Sequence, residues 1–278
     1  MREVITIAVK HNLYGRFALN LAISLRAIAP DIEMTVITDD VGLSHLDDMQ
    51  MTAFTNIVQA KPEHYIQDGR KYPLRLKYHV NEYATAKEAL FVDADTIFSP
   101  MANLHQVFDE LKGCGFTIAN RGKCDPSQGV SEWVESGRVN SPYWYDVSSE
   151  FMYFEKCKLS DNVFKFAREA YDMNQIPVKM FAGDKPDEPF IMAGMVKAGV
   201  HPHQSPYLPS YWYHQEGKYR NVMDIKRNFI LFSLGGKLIP TPQKRIYDEF
   251  CKNVAYMTGY RTMGVSHKER ELPERKAI

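Results

Sequence analysis

The chain has 278 residues, 45% hydrophobic and 24% charged, with 34 Lys+Arg against 34 Asp+Glu. That is the composition of a globular chain long enough to bury a large core unaided, and it excludes disordered, collagen-like and coiled-coil proteins. Zero formal charge excludes a global basic field for polyanions, although a local basic groove remains compatible with it.

Residues 4–9 form a short continuous apolar run, the pattern of a strand buried on both faces. The run contains Thr6, meets Lys10-His11-Asn12 and offers no small-residue cleavage site, so it is not read as a secretory signal. No apolar run approaches the ~20 residues that span a bilayer. Four cysteines without CxxC spacing suit free thiols, and a cytoplasmic location is expected. Tyr14, Ala18, Leu21, Leu25 and Ile28 recur at helical spacing up to Pro30. Residues 33–38 then predict a second strand, which makes a βαβ opening with a right-handed crossover.

A helix is expected over 43–54, a third strand over 56–59, a loop over 67–73 and a helix over 74–87. Residues 89–92 are a strong buried strand running straight into Asp93-Ala94-Asp95. A helix carrying Leu104, Val107, Phe108 and Leu111, a strand over 116–119 and a strand over 151–154 follow. Between those strands, 120–146 is an irregular insertion, the kind of long stretch that usually carries function. Ser160-Asp161 predicts the cap of a helix bearing Val163, Phe164, Ala167 and Tyr171. Further helices are expected over 188–198 and, behind Pro242, over 243–258, with a strand over 229–233 between them. The expected organisation is one catalytic domain over 1–260 and a charged tail over 261–278, with 201–227 as an aromatic and basic segment on the acceptor side.

Asp93 and Asp95 end a buried strand, where open α/β sheets place their ligands. Two carboxylates at that spacing can share one hard divalent cation, Mg²⁺ or Mn²⁺, whose shell a diphosphate completes. Taken alone, Asp-x-Asp also fits a solvated strand end.

In its wider pattern the chain resembles the glycogenin-type, family 8-like retaining glycosyltransferases, which carry a DxD motif. The likeness runs to about residue 240. It implies an α/β fold of the GT-A nucleotide-diphospho-sugar transferase type, a mostly parallel central sheet flanked by helices. It also implies a nucleotide-sugar donor, UDP-linked, and Mn²⁺ or Mg²⁺ held by Asp93 and Asp95. In that family a lysine ahead of the motif reaches the donor phosphates, and Lys77 in Leu76-Lys77-Tyr78-His79 matches it. The end of the first strand holds the nucleoside, which makes Val9, Lys10, His11 and Tyr14 binding candidates, with Tyr14 set to stack on uracil. The plainer reading of that stretch is a capping loop with Tyr14 on the core face of its helix.

Ser148-Ser149-Glu150 stands where the family has Asn-Ser-Gly, so Ser149 alone matches. Asp184-Lys185-Pro186-Asp187-Glu188 keeps both aspartates of an Asp-Gly-Gly-Asp-Gln turn. The resemblance makes Asp187 the nucleophile or cation stabiliser at the anomeric carbon, and Asp184 an acceptor for a sugar hydroxyl. Asp187 equally suits a helix N-cap. In the late strand the family's His-x-x-Gly-x-x-Lys is replaced by Phe232-Ser233-Leu234-Gly235-Gly236-Lys237, leaving Gly235 and Lys237 as diphosphate contacts. His214 is the remaining candidate for a third metal ligand.

Trp133, Tyr143, Trp144, Tyr145, Tyr211, Trp212 and Tyr213 offer flat faces to an acceptor, which is a glycan, a small molecule or a nucleic acid such as a hydroxymethylated DNA base. An aromatic lid packed on itself explains the same residues. The expected partners are the donor and this acceptor, with no membrane span and with an oligomer allowed. Two other functions stay open: a haloacid-dehalogenase-type phosphohydrolase and a noncatalytic nucleotide-sugar-binding module.

Overall fold

The apolar runs of the sequence become the strands of a six-stranded sheet in the computed structural model, which describes residues 1–123, 144–180, 183–203, 210–211, 230–234 and 242–264. β1 (Arg2–Ala8), α1 (Asn12–Ile28) and β2 (Glu33–Thr38) form the opening βαβ unit, followed by α2 (Asp48–Met51) and β3 (Asn56–Gln59). α3 (Pro62–Tyr65) and a small hairpin, β4 (Ile66–Gln67) and β5 (Arg70–Lys71), lead to a 3₁₀ segment (Pro73–His79) and α4 (Val80–Tyr83). Next come β6 (Glu88–Val92), β7 (Thr96–Phe98), α5 (Leu104–Leu111), β8 (Phe116–Lys123) and β9 (Tyr145–Glu155). The described chain closes with α6 (Lys158–Asp172), α7 (Glu188–Ala198), β10 (Ser210–Tyr211), β11 (Leu231–Ser233) and α8 (Pro242–Thr258).

The sheet order is β3-β2-β1-β6-β9-β8. β3, β2, β1 and β6 run parallel, whereas β9 pairs antiparallel with both β6 and β8. Alternation along the strands sends side chains to two cores. Val4, Leu90 and Val92 pack with α1, α5 and α8, while Ile5, Ala89 and Phe91 pack with α6, α7 and the 3₁₀ segment. The result is the expected GT-A-type α/β arrangement, a mostly parallel sheet between helices. Among the described residues, no helix is long and apolar enough to cross a membrane.

The loop expected over 67–73 holds the β4–β5 hairpin, and β8 and β9 run to Lys123 and from Tyr145 into the stretch expected to be irregular; four further departures have a visible cause. Residues 43–46 are not helical, because the preceding loop is pressed onto β1. A Cβ on Gly42 would lie 1.8 Å from the Ala8 carbonyl oxygen, and Asp39 accepts the Val41 and Gly42 N–H groups at 3.2 and 3.0 Å. The helix starts only at Asp48, behind the N-cap Asp47, whose capping box with Gln50 satisfies two free donors. The stretch 74–87 is a 3₁₀ turn and a short helix, since Arg75, Leu76, Lys77, Tyr78 and His79 are all buried and no solvent face remains for an amphipathic helix. Ser160 is not the cap of α6: Cys157 holds that position and Ser160 Oγ accepts its N–H at 3.4 Å. Tyr14 is exposed, and the core face of α1 is formed by Leu13, Phe17, Ala18 and Leu21 instead.

Candidate active site

The C-terminal ends of β1 and β6, adjacent and parallel, set the location. Lys77 is buried there, and its ammonium is held by three partners. It lies 2.8 and 2.9 Å from the two Asp93 oxygens, 2.7 Å from Asp187 Oδ2 and 3.0 Å from Ser149 Oγ. Burial alone would pull the lysine towards neutrality, but Asp187 and Asp93 more than outweigh it and raise its pKa well above the ordinary lysine value. Ser149 Oγ donates to Asp187 Oδ2 at 2.5 Å, so lysine, serine and both aspartates form one closed network.

Asp187 occupies the N-cap position of α7, yet its side chain makes no capping bond. Its backbone oxygen accepts from Phe190 and Ile191 at 3.1 Å each, leaving the carboxylate to Lys77 and Ser149. Asp184 is tied differently. It accepts from Leu74 N, Tyr171 Oη and its neighbour Lys185 N, which anchors the 3₁₀ segment to α6, and burial raises its pKa.

A break in the β8–β9 register delivers the remaining groups. Ile118 pairs with Met152 but Ala119 pairs with Ser148, so residues 149–151 bulge out of that ladder. Bulges of this kind re-aim side chains beside active sites. Ser149, in the bulge, reaches Lys77, while the unbroken β6–β9 register puts Glu150 opposite Asp93, whose N–H donates to the Glu150 carbonyl at 3.0 Å. Glu150 Oε1 accepts from Ser233 Oγ at 2.7 Å. β7 and β11, paired antiparallel, hold Leu234 N 3.0 Å from the Asp95 carbonyl oxygen.

Asp93, Asp95 and Glu150 are half-buried and close enough for their charges to act on one another. Burial, then the charges of Asp95 and Asp187, push Asp93 up to about 7 against the pull of Lys77. Burial, then Asp95 and Asp93, push Glu150 up to about 8. Asp93 and Asp95 offer the oxygen donors a hard divalent cation takes, with the Lys77 ammonium now on both oxygens of Asp93.

Glu150 was not legible as a site residue, because glycine is what the motif pattern asks for at that position. Phe232, aligned with the missing histidine, is fully buried and packs edge-on against Phe250, so it offers nothing to the site. His214, Gly235 and Lys237 lie outside the described residues, as do Trp133, Tyr143, Trp212 and Tyr213. Trp144 is buried in the second core and is unavailable as an exposed sugar platform.

At the end of β1, Val9 is buried and Lys10 takes a positive φ of 76° while donating its N–H to Asp39 Oδ2 at 3.0 Å. His11 caps α1 by accepting Leu13 N–H on Nδ1, and Tyr14 stands exposed beyond it. Lys71 and the backbone donors of Lys10 and Gly42 lower the Asp39 pKa against its burial, so it is a fixed anion beneath this loop. Sequence patterns did not single out Asp39 for that role.

Among the described residues, one other group gathers potential metal donors: His64, His79 and Glu82. The two imidazoles stack face to face, 3.8 Å apart and 10° from parallel. Their in-plane lone pairs therefore run alongside each other instead of converging on an ion, and Arg168 already occupies Glu82 at 3.2 Å.

No protein-family model matches this sequence, and no curated protein matches it. Solved structures do. A galactosyltransferase, LgtC, in complex with donor and acceptor sugar analogs matches 96% of this chain and 99% of its own, at a TM-score of 0.59 and 14% identity. The glycosyltransferase GlyE of Streptococcus pneumoniae TIGR4 matches 95% of this chain, with TM-score 0.59 and 13% identity, across 65% of its own length. Mouse xyloside xylosyltransferase 1 matches 87% of this chain and all of its own, with TM-score 0.50 and 10% identity. At such identities the likeness establishes the fold: this chain has the α/β fold of these glycosyltransferases.

Proposed function

We propose that the chain is a divalent-cation-dependent glycosyltransferase that moves a sugar from a UDP-linked donor to an acceptor hydroxyl with retention of configuration. The observation that carries this reading is the Lys77 ammonium clasped between Asp93, of the Asp93-x-Asp95 pair, and Asp187 at the C-terminal edge of the sheet. The shared fold with sugar transferases supports it, and LgtC binds donor and acceptor sugar analogs.

Asp93 and Asp95 would hold Mn²⁺ or Mg²⁺, which supplies positive charge to the departing diphosphate. Lys77 adds a fixed cation from the protein side, already desolvated and oriented. Asp187, steered by Ser149 and Lys77, opposes the positive charge that grows on the anomeric carbon. The loop from Val9 to Tyr14 and the Asp39 anion beneath it form the nucleoside side, with Gly235 and Lys237 assigned to the diphosphate. The acceptor belongs to the segments 120–146 and 201–227, and a glycan, a small molecule or a modified DNA base suits their aromatic and basic content.

Incubation with UDP-sugars, Mn²⁺ and an acceptor panel should release UDP, and Asp95→Asn should lower that release by about 10²–10³-fold. Hydrolysis of a generic phosphomonoester without UDP release would favour the phosphohydrolase. Donor binding with no turnover across the panel would favour a binding module.

A further inference from the structure

We propose that Glu150 is a third anionic member of the cation seat, acting on the ion from just beyond its direct ligands, Asp93 and Asp95. The proposal rests on the cation reading above and adds a residue that neither the motif nor the shared fold assigns.

Three observations converge on it. The β9 bulge leaves Glu150 out of the β8 ladder, and the β6–β9 register, continued past Val92 and Phe151, sets its carbonyl on the Asp93 N–H, so the two residues stand side by side at the strand end. Its side chain is only half satisfied: Oε1 accepts from Ser233, while Oε2 is buried with no hydrogen-bond partner among the described residues. Its charged neighbours are mostly of its own sign, Asp95 and Asp93, and the lysine that acts on it, Lys77, is already clasped by Asp93 and Asp187. A buried carboxylate oxygen without a donor is costly to hold. It is explained when a positive ion, or water polarised by one, arrives in front of it.

The geometry points to the second arrangement. Oxygen ligands of one small cation lie within about 4–5 Å of each other. Among the described residues, Asp93, Asp95 and Glu150 do not gather all three donors within 4.8 Å. Glu150 therefore accepts a hydrogen bond from water bound to the ion, the role outer carboxylates play at metal centres.

Mn²⁺ titration of the full chain without nucleotide, followed by the electron spin resonance of free Mn²⁺, tests this directly. Asp95→Asn should abolish binding. Glu150→Gln, which keeps the side-chain shape and the Ser233 contact, should weaken it by about 10–100-fold. Glu150→Asp, which keeps the charge, should bind more tightly than Glu150→Gln. The metal-free Glu150→Gln chain should melt no lower than the parent, since the amide replaces a carboxyl whose charged form burial and two acidic neighbours disfavour. Affinity for Mn²⁺ within about twofold of the parent in Glu150→Gln, with Asp95→Asn still defective, would overturn the role of Glu150 and leave the cation reading standing. Equal weakening in Glu150→Asp and Glu150→Gln would also overturn it, because charge would then not be the cause. A parent chain that binds no Mn²⁺ even with UDP would remove both.

Discussion

Replacing Lys77 with methionine should destabilise the fold by about 3–5 kcal/mol near pH 8, and much less near pH 6. Methionine keeps most of the buried stem, so the loss comes from charge. It leaves Asp93 and Asp187 facing each other without the ammonium that now lies 2.7–2.8 Å from each. The pH dependence follows from proton binding. Asp93 in the native chain titrates near 7, above the ordinary carboxylate value of 3.8. Between those values the native state holds a proton that the unfolded chain has lost, so stability falls as pH rises through that window. Removing Lys77 raises the Asp93 value further and extends the window upwards, so the variant suffers most in mild alkali and recovers as the carboxylate is neutralised. Urea unfolding at the two pH values reads both quantities. A loss that is the same at both, or below about 1 kcal/mol, would mean the ammonium is not neutralising these acids.

Gly42→Ala should be nearly as damaging, although it adds only one methyl group and touches no charge. The new Cβ would stand 1.8 Å from the Ala8 carbonyl oxygen and 2.6 Å from Thr38 Oγ1. Both belong to central strands, β1 and β2, which cannot retreat without breaking their shared ladder. The loop must lift instead, giving up the Asp39 bonds to Val41 and Gly42 that hold it down. We expect a loss of about 3 kcal/mol or more in urea unfolding. Gly264→Ala, where nothing lies within 4 Å of an added Cβ, should be close to neutral. Wild-type stability in Gly42→Ala would show that the loop does not rest on β1.

Lys77 and Asp187 stand out in the sequence only through spacing and resemblance, yet the 3₁₀ segment and the start of α7 bring them to within 2.7 Å. The helix expected over 74–87 would have placed Lys77 on a periodic face, and its burial among five consecutive buried residues is a consequence of α6 and α7 packing over it. Glu150 was invisible for a related reason. Apolar periodicity reports which strand residues face a core, but it does not record a register shift, and the shift between Ile118 and Ala119 is what turns residues 149–151 out. Tyr14 departs the other way: it satisfies helical spacing, yet it is exposed while its neighbour Leu13 takes the buried position of the first turn.

Hydrophobic period and chain order were enough for the strands at 33–38 and 56–59, the helix at 188–198 and the α/β class, because those features arise from contacts that repeat along the chain. The pair Asp93 and Asp95 could be located at a strand end for the same reason. Which charges meet was decided only on folding. A buried lysine between two aspartates, a serine that steers one of them and a glutamate beside the other are contacts between residues 16 to 110 positions apart. Desolvation sets their strength, and desolvation is a property of the packed molecule, absent from any local stretch of sequence.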